Sequence, residues 1–363
     1  MSGGLLATAE WTPRFSRKGG TDLTAMEQLE HVRWGILGVA RIATTKVIPA
    51  MQKGALSRVD AIASRDGVRA RDAAAALRIP KAYASYEELL ADADIDAVYI
   101  PLPNHLHVPW TIRAAEAGKH VLCEKPVAIT AADAEELIAV RDRAGVLIEE
   151  AFMVRTHPQW LLARDIVRSG RIGPVRSVAG TFSYFNDDAG NVRNVSAYGG
   201  GALLDIGCYL VNTARMIFEQ EPRRVCALVE QDPVFGTDRL TSMLLDFPGG
   251  HAIGTCGTQM APGQGITITG TLGRIEIEIP FNAPPDRPTR IVVEGRREGR
   301  DVIERETIEI DICDQYTIQG DLFSGAVRRG APAPYALEDS VRNLRVIDAL
   351  FRSAQTNGWH AVA

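Results

Sequence analysis

Cysteine is scarce in this sequence, and the cysteines present lack the spacings that form cross-links or bind metals. The five are scattered and include no Cys-x-x-Cys pair: Cys123, Cys208, Cys226, Cys256 and Cys313. This argues against a disulfide framework or a cysteine zinc site and favours a reducing compartment, so we expect a cytoplasmic protein. No spacing of His, Asp and Glu resembles a zinc ligand set either, so we expect no metal.

Long apolar runs and a surplus of basic residues are also lacking. No run approaches the ~20 apolar residues that a membrane span needs. The formal net charge of -5 gives no general reason to expect nucleic acid or an anionic membrane as a partner. Residues 1–28 lack the apolar core of a secretory signal and show little periodicity. They fit either a disordered tail or an upstream start, with Met26 as the natural one.

The length of 363 residues is too great for one ordinary core and predicts two domains. Strand and helix patterns alternate over 29–150, which predicts an α/β domain with a doubly wound parallel sheet. Over 151–363, long β-rich runs follow one another with few helices between them. This predicts an α+β domain with a large, mainly antiparallel open sheet. Because an uncovered sheet face often becomes a subunit interface, we expect a homo-oligomer, a dimer or tetramer, formed through this sheet.

A strand, a glycine turn and a helix follow one another near the start of the first domain. The turn matches the dinucleotide fingerprint G-x-G-x-x-G/A, with Gly38 at its first glycine and Ala43 at its end. Ala40 replaces the second glycine, and its methyl group crowds the approach of a pyrophosphate without forbidding it. The pattern fits nucleotide binding, and it also fits a tight turn in another α/β protein.

The end of the second predicted strand carries the residues that distinguish NADP from NAD. Here Ser64 and Arg65 come first, and Asp66 follows. An acid at this place holds the ribose diol of NAD, whereas an arginine accommodates the 2′-phosphate of NADP. A guanidinium is a good bidentate partner for phosphate, so we favour NADP. In the alternative reading Arg65 is an ordinary surface residue and Asp66 takes the ribose, which leaves NAD possible.

The stretch Val121-Leu122-Cys123-Glu124-Lys125-Pro126 is the first candidate for the chemistry. Its apolar residues indicate the end of a buried strand, which the charged pair and the proline stop. A lysine leaving the carboxyl end of a parallel strand points into the crevice where open α/β sheets bind ligands. Lys125 is therefore a candidate for moving protons, although a solvated lysine in a turn fits these six residues equally well.

A glycine-rich helix start in the β-rich half is the second candidate. Asp205 and Tyr209 follow three glycines and lie four residues apart, so they share one helix face. A carboxylate and a phenol that face one cleft can hold and deprotonate a hydroxyl group. A phenol of pKa ~10 needs a nearby cation to do so near neutral pH, and Lys125 could supply it. The alternative is a glycine linker followed by an ordinary amphipathic helix.

Several polar residues near the strand ends remain open to two interpretations. Arg155, at the domain junction, could clamp a phosphate or a substrate oxygen, or form an interdomain ion pair. His105 and His107 bracket a loop at a strand end, where they could line the nicotinamide side or cap the next helix. His157 precedes a proline, which favours a structural role.

Five linked motifs resemble the glucose–fructose oxidoreductase / inositol dehydrogenase family, also called Gfo/Idh/MocA. In the family's order they are Trp34-Gly35-Ile36-Leu37-Gly38, Pro101-Leu102-Pro103-Asn104, Glu124-Lys125-Pro126, Glu150-Ala151-Phe152-Met153 and Gly199 to Tyr209. The resemblance implies a Rossmann domain, a sheet-rich C-terminal domain and a nicotinamide cofactor. It implies that Lys125 is the catalytic lysine and Asp205 a substrate-positioning acid. It also implies a cofactor-binding set: Gly38, Ala40, Arg41, Ile42, Ser64, Arg65, Leu102, Asn104, His107, Glu124, Lys125 and Arg155.

Tyr209 stands where many members of that family carry a histidine. A tyrosine there resembles the branch with NADP-dependent D-xylose dehydrogenase and dimeric dihydrodiol dehydrogenase, in which the Tyr does acid/base work beside the Lys. We therefore expect an NADP-dependent oxidoreductase that acts on a sugar or polyol, with Tyr209 taking the proton. Two other functions remain open: a non-catalytic NAD(P)-binding sugar sensor, and a glycosidase that uses NAD transiently.

Overall fold

The computed structural model describes residues 30–296 and 303–362. The predicted N-terminal tail, 1–28, lies outside this described part. The described chain forms two sheets, and the first has the parallel strand order β3-β2-β1-β4-β5-β6. Its strands are β1 Val32–Leu37, β2 Ser57–Ala63, β3 Lys81–Tyr83, β4 Ala97–Ile100, β5 His120–Cys123 and β6 Ile148–Glu150. This order is that of a dinucleotide-binding fold and confirms the predicted doubly wound domain.

Helices cover both faces of the first sheet, which is why its central strands β1 and β4 are mostly apolar. They are α1 Ile48–Met51, which continues a π-helical turn Ala43–Val47, α2 Gly67–Leu77, α3 Tyr86–Leu90, α4 His107–Glu116 and α5 Ala131–Ala144. Polar residues start three of them. The side chains of Asp66, Ser85 and Thr130 accept hydrogen bonds from backbone N–H groups in the first turns of α2, α3 and α5. Such caps satisfy donors that a helix start leaves free.

The second sheet has nine strands in the order β14-β13-β12-β11-β7-β10-β9-β8-β15. They are β7 Val175–Phe185, β8 Arg224–Gln231, β9 Asp238–Phe247, β10 Gly250–Gly257, β11 Gln259–Gly270, β12 Gly273–Ile277, β13 Thr289–Arg296, β14 Ile303–Ile310 and β15 His360–Ala361. Only β7 and β10 pair in parallel among these strands, so the predicted, mainly antiparallel sheet is confirmed. The helices of this half are α6 Pro158–Arg168, α7 Cys208–Phe218, α8 Gln315–Arg329 and α9 Leu337–Thr356.

Helix α8 lies in the C-terminal half of the sequence but packs on the first domain. The Trp34 indole donates to the Ser324 hydroxyl at 3.1 Å, and the rings of Trp34 and Phe323 lie 5.4 Å apart. The Asp321 carboxylate accepts from the backbone N–H of Leu56 at 3.0 Å. The first domain is therefore completed by a helix from beyond residue 151, which the division by strand pattern did not anticipate.

No helix within residues 30–296 and 303–362 combines the length and the apolar composition that crossing a membrane requires.

Candidate active site

The crevice at the carboxyl ends of β1 and β4 is where the strand order reverses. Gly38 begins the turn after β1 with φ +120°, a conformation that side chains rarely adopt. A Cβ at Gly38 would lie 3.0 Å from the Leu102 side chain, which follows β4. Ala40 and Ile42 are half-buried and Arg41 is exposed. The chain then enters the π-helical turn, whose N-terminus faces the place where a phosphate would bind.

Asp66 and Arg65, which follow β2, have different roles. The Asp66 carboxylate accepts from the backbone N–H of Val68 at 2.9 Å and of Arg69 at 3.2 Å, so it caps α2. Arg65 is exposed and has no ion-pair partner within the described part of the chain. Burial raises the pKa of the Tyr86 phenol, and the Arg65 guanidinium beside it opposes that shift. Ser64 is buried and accepts from the Asp66 N–H at 3.1 Å.

The loop after β4 connects the two halves of the cleft. The Asn104 amide donates to the Gly199 carbonyl at 2.8 Å, and the rings of His105 and Tyr198 are stacked 4.2 Å apart. His107 is buried, and its ring nitrogens lie 2.7 Å from the carbonyls of Pro126 and Leu102. Burial lowers the pKa of His107 to about 4. His107 therefore braces the loops that border the crevice through the carbonyls of Pro126 and Leu102.

Lys125 projects from the end of β5 toward the second domain. Its ammonium group donates to the Asp205 carbonyl at 2.6 Å and to Asp205 Oδ1 at 3.2 Å. Burial by itself lowers the pKa of Lys125, but Asp205 and other neighbours outweigh it and raise that pKa. Glu124 accepts from the Tyr99 hydroxyl at 2.5 Å, and burial raises its pKa. The lysine is charged at neutral pH and is not the solvated turn residue of the alternative reading.

Asp205 is the centre of a network of three donors. Besides Lys125, the Tyr184 hydroxyl donates to Oδ2 at 2.6 Å, and Arg193 Nε lies 3.0 Å from the same oxygen. Burial raises the pKa of Asp205, but Arg193 and Lys125 outweigh it, so the pKa falls well below its usual range. The carboxylate is thus ionised throughout the neutral range and holds donors from both domains.

Local backbone geometry places Asp205 in the cleft. It lies in a π-helical turn, Leu203–Gly207, that leads into α7, and such turns are frequent at functional sites. The Asp238 carboxylate accepts from the Leu203 N–H at 2.7 Å and so caps this turn. Gly201 has φ +114°, and a Cβ there would lie 1.9 Å from Asp238 Oδ1. The glycines therefore permit close packing around the turn and do not form a linker.

Tyr209 comes close to Lys125, although not through its hydroxyl group. The Lys125 ammonium lies 5.0 Å from the centroid of the Tyr209 ring. The phenol instead donates to Met153 Sδ at 3.4 Å, and the ring packs against Phe152, Phe182 and Phe281. Burial raises the pKa of Tyr209 well above its usual value. In this conformation the Tyr209 hydroxyl faces Met153 and not the Lys125 ammonium, contrary to the expectation from sequence.

Arg155 points to the C-terminal helix and not to the crevice. Its guanidinium forms an ion pair with Asp339 of α9 and lies 4.0 Å from the centroid of the Tyr335 ring. Asp339 also pairs with Arg215 at 2.8 Å. Of the roles that the sequence left open, the structure shows the ion pair at the domain junction for Arg155.

Two polar residues beside Asp205 were not identified from the sequence. Tyr184 lies near the end of β7, and the register of this strand decides on which face of the sheet its side chain lies. Arg193 lies in the loop between β7 and the glycines. The alternation of Phe182 and Tyr184 in a predicted strand could have indicated Tyr184. The position of a cation shortly before a glycine run was a weaker indication for Arg193.

The chain matches two family models. The model described as "Oxidoreductase family, NAD-binding Rossmann fold" covers residues 32–152, and that of the GFO/IDH/MocA C-terminal domain covers residues 160–276. An uncharacterized oxidoreductase of Rhizobium meliloti is 49% identical over 335 residues, which are 92% of this chain and 100% of that relative. D-xylose 1-dehydrogenase (NADP(+)) 2 of Haloferax volcanii is 39% identical over 325 residues, covering 89% of this chain and 97% of that relative.

Solved structures agree with this relationship. A 3-ketoreductase from Actinomadura kijaniata, in complex with NADP and TDP-benzene, superposes with a TM-score of 0.82 at 32% identity. The match covers 89% of this chain and 98% of that one. These matches span both domains of this chain. The chain belongs to the Gfo/Idh/MocA oxidoreductase family.

Proposed function

We propose that this protein is an NADP-dependent oxidoreductase that transfers a hydride between the nicotinamide and a hydroxyl or carbonyl group of a sugar or polyol. The observation that carries the proposal is the bond from Lys125, at the carboxyl end of β5, to Asp205 across the cleft. The similarity to D-xylose 1-dehydrogenase (NADP(+)) 2 of Haloferax volcanii supports it.

The residues of the crevice fit a nicotinamide dinucleotide. Gly38 leaves room under the Leu102 side chain, and the following helix start offers N–H groups to a pyrophosphate. Arg65 is an exposed guanidinium without an ion-pair partner in the described ranges, whereas Asp66 is committed to capping α2. A cation without an ion pair and an acid that caps a helix favour a 2′-phosphate over a bare ribose diol. We therefore propose NADP as the preferred cofactor.

The catalytic residues divide the work between binding an oxygen and moving a proton. When bound, the oxidised nicotinamide accepts the hydride. The charged Lys125 binds the reacting oxygen and stabilises the negative charge that develops on it. We assign the proton to Tyr209: when a carbonyl is reduced, its phenol, which the raised pKa keeps neutral at neutral pH, donates the proton to the reacting oxygen, and in the reverse direction the resulting phenolate takes the proton of the hydroxyl group. Tyr184 is the second candidate for this role, because its hydroxyl already belongs to the network around Lys125.

Phenylalanine variants separate the two tyrosines. Transfer of a proton by a positioned side chain contributes ~10²–10⁴-fold to the rate. Tyr209→Phe should therefore lose turnover by about that factor, while the affinity for NADPH, followed by its fluorescence, stays unchanged. Normal turnover in Tyr209→Phe together with a large loss in Tyr184→Phe would transfer the role to Tyr184.

A substrate panel tests the function itself. Aldoses, polyols and aromatic diols are each combined with NADP and with NAD, and reduction is followed at the nicotinamide absorbance. We expect turnover with NADP on one of these classes. Tight cofactor binding without turnover on every member would instead support a sensor. Hydrolysis of a glycoside without net reduction of the cofactor would support the glycosidase.

The exposed face of the second sheet and the free cysteines support proposals on the assembly and the compartment. We propose a homodimer, or a tetramer, joined through the outer face of the second sheet, where Leu228 and Ile253 are exposed. Thr255 and Thr181 continue this face across the neighbouring strands. Buried apolar area drives most association, so a second copy fits this surface. We also propose a cytoplasmic location, because all five cysteines are free.

A further inference from the structure

Arg193 offers unused hydrogen-bond donors beside the proposed site of reaction. Its Nε is bonded to Asp205 Oδ2 at 3.0 Å, and its side chain is 44% exposed. A guanidinium carries five N–H donors, and no residue of the described ranges accepts one from its Nη1 or Nη2. The terminal nitrogens are therefore available to a ligand in the cleft.

The backbone around Arg193 is held from several sides. The Arg193 carbonyl accepts from the Gly201 N–H at 2.9 Å, and its own N–H donates to the Asn191 side chain at 3.0 Å. A Cβ at Gly200 would lie 2.3 Å from the Arg193 carbonyl oxygen. The glycine run thus lets this segment approach closely, and the backbone that carries Arg193 is held in place without a ligand.

Asp205, in contrast, has little capacity left for a substrate. A carboxylate has about four lone-pair sites, and three of them already accept from Lys125, Tyr184 and Arg193. Asp205 therefore orients its three donors and has little capacity to bind hydroxyl groups of the substrate. The groups that remain open to the substrate are cations, since Lys125 and Arg193 are both charged. The acids Asp187 and Asp188, in the loop before Arg193, form no ion pair with it in the described part of the chain.

We propose that the substrate carries an oxyanion, a carboxylate or a phosphate, near the reacting carbon, and that the Nη atoms of Arg193 bind it. This rests on the proposed oxidoreductase function and names its substrate class: a sugar acid or a sugar phosphate. The planar guanidinium fork matches the geometry of both anions with two parallel hydrogen bonds. Held next to Lys125, the anion fixes which carbon faces the reacting oxygen.

Matched substrate pairs test the proposal on the full chain. D-glucose is compared with D-glucuronate and with D-glucose 6-phosphate, and D-galactose with D-galacturonate. We expect the wild-type kcat/KM to be at least about tenfold higher for one anion than for its neutral partner, and the two anion arms separate carboxylate from phosphate. In R193Q the kcat/KM for the anion should fall about 10–100-fold more than that for the neutral sugar.

Two further variants control for charge and for folding. R193K keeps the charge without the fork and should recover part of the loss, while R223Q removes an exposed arginine of the second sheet and should not alter the preference. A wild-type preference for neutral sugars would overturn the proposal. So would an equal loss for both members of a pair in R193Q, because Arg193 would then act only through Asp205.

A binding measurement separates this proposal from the oxidoreductase function. Thermal unfolding with bound NADPH is followed with and without glucuronate, glucose 6-phosphate or glucose. An anion should raise the Tm of the wild type more than glucose does, and R193Q should lose this difference. If no sugar is turned over but an anion raises the Tm more than glucose does, the proposed oxidoreductase function is wrong and the anion site is supported. If neither anion shifts the Tm, the anion site is wrong.

Discussion

Replacing Asp205 by asparagine tests the charge network on which the site depends. The side chains of Asp205 and Lys125 are 12% and 11% exposed, so D205N leaves a nearly buried cation without its counter-charge. Removing one partner of a buried pair costs roughly 3–5 kcal/mol. We expect about 3 kcal/mol, the lower end, because Arg193 can turn to solvent. The free energy of unfolding is measured by urea titration, and kcat should fall ~10²-fold through lost positioning.

The pH dependence of the loss of unfolding free energy in D205N shows whether the loss comes from the missing charge or from the changed side chain itself. The pKa of Asp205 is depressed in the fold, so its contribution is complete above the ordinary value of ~3.8 and is lost only as pH falls further. The difference between wild type and D205N should therefore be constant from pH 5 to pH 9. The exposed Asp187→Asn is the matched control. A difference below about 1 kcal/mol, or one that vanishes between pH 7 and pH 5, would refute the reasoning.

Three other predictions concern the cofactor, a buried acid and the open sheet. Arg65→Ala should raise KM for NADP about 10–100-fold and leave KM for NAD unchanged, and equal changes for both would contradict our use of Arg65. Burial raises the pKa of Glu149 to about 8, so wild-type stability should fall as pH rises from ~4.5 to ~8. The free energy of unfolding of Glu149→Gln is compared with that of the wild type at pH 5 and at pH 9. The variant should gain stability relative to the wild type at pH 9, and the same difference at both pH values would count against this reasoning. Ile253→Glu should give monomers in sedimentation experiments, whereas Val234→Glu, outside the sheet strands, should not.

The sequence was sufficient for most strands and helices because their apolar patterns are strong. The apolar pattern predicts a strand over 175–185 and helices over 131–144 and 315–329, and these are the bounds of β7, α5 and α8. The pattern predicts no strand at β14, because this edge strand buries only Ile310 fully and so lacks a clear apolar alternation. The packing of α8 on the first domain also needed the structure, since its contacts with Trp34 span 290 residues.

The site was predictable to the level of residues but not of atoms. Motif order indicated that Lys125 and the helix start with Asp205 would meet, and the structure brings them together. It did not indicate that the phenol of Tyr209 would face Met153 while the lysine lies over its ring. Which atom of a side chain meets a partner depends on rotamers and on neighbours from distant strands. Tyr184 and Arg193 were missed for the same reason.

The way in which α8 joins the domains bears on how the site works. The chain passes from the first domain to the second at β6, and α8 returns to the first, where Asp321 and Ser324 form hydrogen bonds with it. Two connections restrict relative motion of the domains more than one does. The bond between Lys125 and Asp205, 80 residues apart, then belongs to the resting architecture and does not have to form anew with each substrate. Catalysis by positioning requires such a fixed arrangement, since donors already held in place need no rearrangement when charge develops.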